Sequence, residues 1–187
     1  PNQTIDDNSA YKNMGGSPWA TSNVMAKVAG VVKTNVSVYR EKRGDGYCAR
    51  LETHHEEVVV LGLVNIKVLA AGSIFLGEML EPLTSTSNPM SKMNWGMKMD
   101  RRPKAVVFDY KARLTNDANR IRETGFSRIT TVPGKDMPVV VALLQKRWED
   151  SKGNIHAKRV GTLVHRFNKN TPEWQNNARF EIKYGDN

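Results

Sequence analysis

The longest unbroken alternation of apolar and polar positions runs from Val106 to Leu114. Val106, Phe108, Tyr110, Ala112 and Leu114 fall on one face; Val107, Asp109, Lys111 and Arg113 fall on the other. A period of two built from β-branched and aromatic residues predicts a half-buried antiparallel strand over 102–115. Arg101-Arg102-Pro103 suits the start of such a strand, because proline cannot donate to a ladder. A second alternation turns Ala178, Phe180, Ile182 and Tyr184 inward and Arg179, Glu181 and Lys183 outward. A slip of one residue would turn a strand inside out, so burial of Asp109 with exposure of Phe108 would refute this register.

The rest of the pattern is shorter and more broken. Residues 1–23, rich in Asn, Ser, Gly and Asp, read as an exposed lead-in, with Trp19 as the point where it docks. Val31 to Glu41 and Tyr47 to Glu57 predict a hairpin turning at Arg43-Gly44-Asp45-Gly46. Val58 to Ile66 is strand or loop, Ala70 to Leu80 a short strand pair around Gly72 and Gly77, and Thr84 to Asn94 a polar loop. Asn116 to Lys135 is irregular, with room for one helical turn at Asn119 to Glu123. Met137 to Trp148 contains helix formers, yet its valine triplet predicts a strand buried on both faces. Ser151 to Asn154 is a turn and Lys158 to Phe167 a strand. Many short strands between Gly, Asn and Pro turns predict an all-β antiparallel sandwich.

Six segments in this order carry a resemblance: W-A-T-S-N at 19–23, G-Y-C-A-R-L-E-T at 46–53, A-A-G-S-I-F-L-G at 70–77, R-R-P-K-A-V-V-F-D-Y-K-A at 101–112, V-A-L-L-Q-K-R-W at 141–148 and W-Q-N-N-A-R-F-E-I-K-Y at 174–184. Together they resemble the PCMD family, a carbohydrate metabolism domain of exported bacterial proteins. The resemblance implies a jelly roll of the galactose-binding type, with residues 1–18 as lead-in or linker and 19–187 as one domain. It implies a carbohydrate-binding or glycan-handling module of the bacterial cell envelope, acting in polysaccharide metabolism. It also implies export to the periplasm or outer-membrane surface, with a lipoprotein as one form. Members are sometimes described as glycoside hydrolases, so a carbohydrate-active enzyme is the alternative, and a structural or adhesive surface module a second one. The chain departs from the family in having no room for an upstream immunoglobulin-like domain and no closing segment after Tyr184. The expectation is therefore a domain lacking its C-terminal strands. It should show either an exposed apolar strip beside its terminal strands or a second copy or tail segment covering that strip.

Composition narrows the partners. A chain of 187 residues with 39% hydrophobic content can bury a core without disulfides. Its single cysteine, Cys48, excludes an internal disulfide and reads as a small buried thiol. The longest apolar run, Val58 to Leu69, is interrupted by Asn65 and Lys67, so no transmembrane segment is expected. A net charge of +9 favours an anionic partner. The cations are scattered, however, except at Arg101, Arg102 and Lys104, with looser groups at Lys146–Arg147 and Lys158–Arg159. No nucleic-acid motif accompanies them. The expected partner is an oligo- or polysaccharide, not nucleic acid.

Candidate chemistry is sparse. His54-His55-Glu56-Glu57 is the one His/carboxylate cluster, but a strand splits it between two faces, and zinc would need recruits such as His156 or His165. No metal and no cofactor are expected. Glycoside hydrolysis needs two facing carboxylates. Glu52, Asp109, Glu149 and Asp150 are available, but no pair is assignable and the catalytic residues are unknown. The glycines form no phosphate loop. Sugar binding needs an exposed aromatic face beside planar polar groups. The sequence places that site at Trp95, Arg101 and Arg102, with Asp109 as a further member, on one concave face. Trp19, Trp148 and Trp174 are read as core residues.

Overall fold

The computed structural model describes residues 2–6, 9–14, 18–28, 31–60, 64–79, 93–124 and 128–185. Every regular element among them is a β-strand and every pairing is antiparallel, so the protein is all-β. The sheets are small and unclosed, with two or three strands each. The chain divides into two compact units. The first comprises 1–98 with 122–130, the second 99–121 with 131–187.

In the first unit β1 (Asn2–Asp6) pairs with β2 (Ser9–Met14), so the expected lead-in contains a hairpin. The short strand β3 (Trp19–Thr21) is followed by three hairpins in succession. These are β4 (Val24–Val28) with β5 (Val31–Asn35), β6 (Val38–Arg43) with β7 (Gly46–Leu51), and β8 (Thr53–Val60) with β9 (Val64–Ala71). The chain then returns in β10 (Ile74–Met79), which pairs with β3 on one side and β11 (Met93–Trp95) on the other. The strand read over Val31 to Glu41 is thus two strands of different hairpins, broken at Val36–Ser37. Tyr47 to Glu57 is likewise broken at Glu52, and the stretch from Ala70 to Met79 holds the end of β9 and the whole of β10, parted at Gly72–Ser73. Alternation does not report such breaks, because each interruption, at Val36–Ser37, Glu52 and Gly72–Ser73, is only one or two residues long.

What breaks the strands is a polar hub where the three hairpins begin and end. The Asn23 carboxamide is buried there. Its Nδ2 donates to Val38 O (2.8 Å), and its Oδ1 accepts from the amides of Ser37 (3.0 Å) and Val38 (2.9 Å). The Ser37 hydroxyl, fully buried, meets the Ser22 hydroxyl at 2.8 Å. Ser22 N–H donates to Ser73 O (2.9 Å), and the Ser22 hydroxyl accepts the Ser73 amide (2.9 Å). Glu52 N–H donates to Ser37 O (2.9 Å), and Gly72 N–H donates to Glu52 O (2.7 Å). Buried backbone groups without such partners would each cost about 1–3 kcal/mol. Gly72 is required by this close approach. A Cβ there would sit 2.5 Å from Glu52 N, 2.6 Å from Glu52 O, and closer still to Ser37 O.

In the second unit β12 (Ala105–Ala112) follows Lys104. The next hairpin, β13 (Ile121–Thr124) with β14 (Arg128–Thr131), falls almost wholly in the stretch 122–130 that belongs to the first unit, and it stands where the sequence offers room for one helical turn. The β-branched Ile121, Thr124, Ile129, Thr130 and Thr131 favour extended chain. The ladder also continues outward through Val132 N–H to Arg120 O. The long hairpin β15 (Val139–Glu149) and β16 (Ile155–Arg166) comes next, then β17 (Thr171–Glu181) and β18 (Lys183–Tyr184). β12 pairs with β17, and β16 pairs with both β15 and β18.

The register read for β12 holds. Phe108 stacks on Phe180 (4.9 Å between centroids), Tyr110 packs on Phe167 (4.5 Å), and Ala112 is buried, while Val107 and Lys111 face solvent. Ile182 is buried and Arg179, Glu181 and Lys183 are exposed, as their alternation requires. His165 joins this aromatic core, 4.6 Å from the Phe180 ring.

The β12–β17 pair carries bulges. Tyr110 opposes Gln175 where an unbroken register would set Asn176, and Ala112 opposes Thr171. The first bulge holds Asn177 at φ 53°, a left-handed conformation asparagine tolerates better than other side chains. At the far end the Thr171 hydroxyl and Asn170 carboxamide accept the amides of Ala112 and Leu114.

The valine triplet is a strand, as read, but it is not buried on both faces. Val140, Ala142 and Leu144 turn inward, while Val139, Val141 and Leu143 are exposed beside Val164 of β16. The outward face of β15 and β16 thus carries a row of exposed aliphatic side chains.

Candidate functional site

The four residues expected to form a ligand surface fall in different units. Trp95 ends β11 in the first unit, directly opposite Gly77. Gly77 adopts φ 130°, and a Cβ there would overlap Asn94 O. The space left above β10 lets the Trp95 ring tilt onto buried Phe75 (5.0 Å between centroids) while 48% of the residue stays exposed. On the opposite face of the same strands the Asn94 carboxamide donates to the Glu78 carboxylate (3.0 Å).

Arg101, Arg102 and Asp109 belong to the second unit. Arg101 is almost wholly exposed, 3.9 Å from the neighbouring Asp100 carboxylate. Arg102 lies over the Tyr184 ring (4.0 Å), and the Tyr184 hydroxyl donates to Pro103 O. Asp109 accepts the Asn177 amide at 2.7 Å and so fastens the bulge. Its carboxylate has a structural task that explains a charged residue within the ladder.

The other candidates resolve in the same way. His54 and Glu56 share a face and hydrogen-bond at 2.9 Å. His156 and His165 stand nine residues apart along β16, about 30 Å in extended chain, and cannot share an ion. Among the described residues no group of three His, Cys, Asp or Glu side chains is placed to hold a metal. No helix among them is long and apolar enough to cross a membrane. Cys48, in β7, is half-buried.

Trp148, which the sequence places in the core, instead belongs to a constellation at the outer end of the β15–β16 hairpin. Val160 is an extra residue between the pairs Leu144–Gly161 and Gln145–Arg159. Beyond this bulge inward–outward alternation ends, and from Gln145 to Arg159 every residue except Asp150 is exposed. This stretch is a two-stranded arm with solvent on both faces. Trp148 and His156 oppose each other across it, and their rings stack at 5.4 Å with planes 17° apart. Trp148 remains 46% exposed. The Asp150 carboxylate fixes the pair. It accepts from His156 Nε2 (2.8 Å), from Asn154 Nδ2 (3.0 Å), and from the amides of Lys152 and Asn154 (2.9 Å each). These donors, His156 first, hold its pKa far below the usual carboxylate range.

The arm carries five cations, Lys146, Arg147, Lys152, Lys158 and Arg159, against Glu149 and Asp150. Lys146 and Lys158 are directly opposite each other on the Trp148–His156 face. The β6–β7 hairpin is also basic, but its guanidinium groups are engaged. Arg40 lies over Tyr47, and Arg50 lies over Tyr39 and pairs with Glu41 and Glu52. The signal for the arm was in the sequence: K-R-W and H-A-K-R flank a tight turn, and equal register across that turn brings them together.

No protein-family model, no curated protein and no solved structure matches the chain.

Proposed function

We propose that this protein is a non-catalytic carbohydrate-binding module of the bacterial cell envelope, acting in polysaccharide metabolism. The observation that carries this reading is the exposed Trp148–His156 stack. A flat aromatic step suits the apolar face of a sugar ring, and the turn around Asp150 holds it rigid before any ligand arrives. Preorganised aromatic surface is the economical way to bind a ring that offers few charges. Trp95 on Phe75 supplies a second exposed aromatic in the first unit.

The six-segment resemblance to the PCMD family supports the same reading, and with it a galactose-binding type of jelly roll and export to the periplasm or outer-membrane surface. A hydrolase would need two carboxylates free to face a scissile bond. Asp150 is occupied by its turn and Asp109 by its bulge, which favours the binder over the enzyme. The test is a glycan array of the whole protein beside Trp148→Ala and Trp95→Ala. Binding that Trp148→Ala abolishes is the expected result. Hits unchanged by both variants would overturn the site, and an array without hits would overturn the function.

A further inference from the structure

We propose that the outward face of the β15–β16–β18 sheet is a docking surface for an anionic lipid bilayer. The inference goes beyond the carbohydrate reading and uses the other side of the same hairpin. Val139, Val141 and Leu143 of β15 and Val164 of β16 form its aliphatic row, with Val141 directly opposite Val164. Each of the four keeps about half of its surface in water. Scattered exposed aliphatics are ordinary, but a contiguous set rimmed by polar groups marks an interaction site.

Four exposed cations frame the row. Arg166 is directly opposite Val139 at one end. At the other end, past the bulge, come Arg159 and its diagonal neighbour Arg147. Lys183 of β18 is paired with Thr162, itself opposite Leu143, so it flanks the row on the same face. Among the described residues none of these four cations is held in an ion pair, and Glu149, near the tip, is the acidic residue on this side of the hairpin. An aliphatic centre inside a frame of cations matches an anionic bilayer in both respects. The boundary of the acyl chains takes the valines and the leucine. Guanidinium and ammonium groups on long stems reach back to the phosphates, and arginine meets a phosphate with two parallel hydrogen bonds.

A second copy of the chain is the competing occupant. Stacked on this face it would set its own four cations against these, in a protein whose net charge is +9. Charged side chains beside an edge strand such as β15 also discourage pairing through its open edge. A soluble polyanion would use the cations but leave the aliphatic row in water. Trp148 and His156 belong to the opposite side of the ladder, so the two faces of the hairpin are separately testable.

The experiment measures co-sedimentation of the whole protein with vesicles of phosphatidylcholine alone and of phosphatidylcholine mixed with phosphatidylglycerol. The expected result is binding to the mixed vesicles at least about tenfold tighter than to the neutral ones, weakened by salt. Arg159→Gln with Arg166→Gln should weaken it about fivefold per charge. Val141→Asn with Leu143→Asn should weaken it at least about tenfold, through the lost apolar contact. Lys42→Gln with Arg113→Gln, an equal charge loss off this sheet, should change it less than about twofold. Trp148→Ala should leave it unchanged. Circular dichroism confirms that the variants fold; every substituted side chain is exposed. Equal binding to both kinds of vesicle, or binding to neither, overturns the proposal. A loss as large in the Lys42 and Arg113 pair as in the Arg159 and Arg166 pair assigns the effect to net charge and removes the site. Binding that survives Val141→Asn with Leu143→Asn is that of a bare polyanion site and refutes the lipid contact. A concentration-dependent dimer that those two substitutions dissolve, without vesicle binding, gives the face to a second copy. None of these outcomes bears on the glycan array, so the carbohydrate reading stands or falls separately.

Discussion

Replacing Gly72 with alanine should be among the most damaging single-methyl changes in this protein. The added Cβ would fall 2.5 Å from Glu52 N and 2.6 Å from Glu52 O, with Ser37 O nearer still. All three are backbone atoms, so no side chain can swing away. Restoring ordinary contact requires movement of about 1 Å in segments held by the Gly72 N–H to Glu52 O and Glu52 N–H to Ser37 O bonds. Losing both bonds removes about 1 kcal/mol each, and leaving buried groups unpaired adds about 1–3 kcal/mol. The expected loss is about 3–5 kcal/mol, a large share of the roughly 5–15 kcal/mol that a folded protein holds. Gly46→Ala is the matched control, since its nearest atom beyond its chain neighbours is Arg43 O at 3.8 Å. That change should stay within about 1 kcal/mol and tend to stabilise through the unfolded chain. Urea denaturation followed by circular dichroism gives both numbers. Hydrogen exchange then shows whether the Glu52, Gly72 and Ser73 amides are the ones exposed. Equal midpoints for the two alanine variants would refute the hub as described.

Asn23→Ala should cost about 3 kcal/mol by the same assay, because one carboxamide serves the Ser37 amide and both backbone groups of Val38. Asn177→Gly should be nearly neutral, while Asn177→Ala should cost about 1 kcal/mol, the penalty for a Cβ in the left-handed region; the difference in urea midpoint checks it. Asp150 has a folded pKa below its unfolded value. Its contribution to the arm is therefore complete above the unfolded pKa of about 4 and is lost as pH falls below that. Exchange of the Lys152 and Asn154 amides should accelerate in that acid window relative to Asp150→Asn, and a profile identical to that variant's would contradict it.

Much of the strand content was legible in the residues, and the reasons differ from place to place. β12 could be read down to its register because its inward residues are large and its outward ones charged, so one arrangement alone buries the aromatics. The hub could not be read. Ser22, Asn23, Ser37 and Ser73 look like ordinary turn formers, and only the folded chain brings positions fifty residues apart together. Val139–Val141 was over-read, because an apolar triplet reports preference for extended chain but not how many faces are covered. Trp148 was misplaced for a related cause. A large aromatic usually earns burial, and what keeps this one in water is a ring partner across the strand and a bulge at Val160, neither visible in the local pattern. Asp109 is read from the sequence as a member of the sugar site, whereas in the folded chain its carboxylate accepts the Asn177 amide, 68 positions away.

The hub has a consequence for how this molecule can vary. Each of the hairpins β4–β5, β6–β7 and β8–β9 leaves from and returns to the same few backbone atoms around Ser37, Glu52 and Gly72. Adding or removing a residue pair at the tip of one hairpin changes its reach but moves nothing at its root. Local ladders of this kind also close without waiting for one another, since their partners are near in sequence. The fasteners that join them are main-chain bonds and the short side chains of Ser22, Asn23 and Ser37, all at the roots of the hairpins. The first unit is thus organised like a hand whose fingers can be lengthened one at a time, with the grip set at the knuckles.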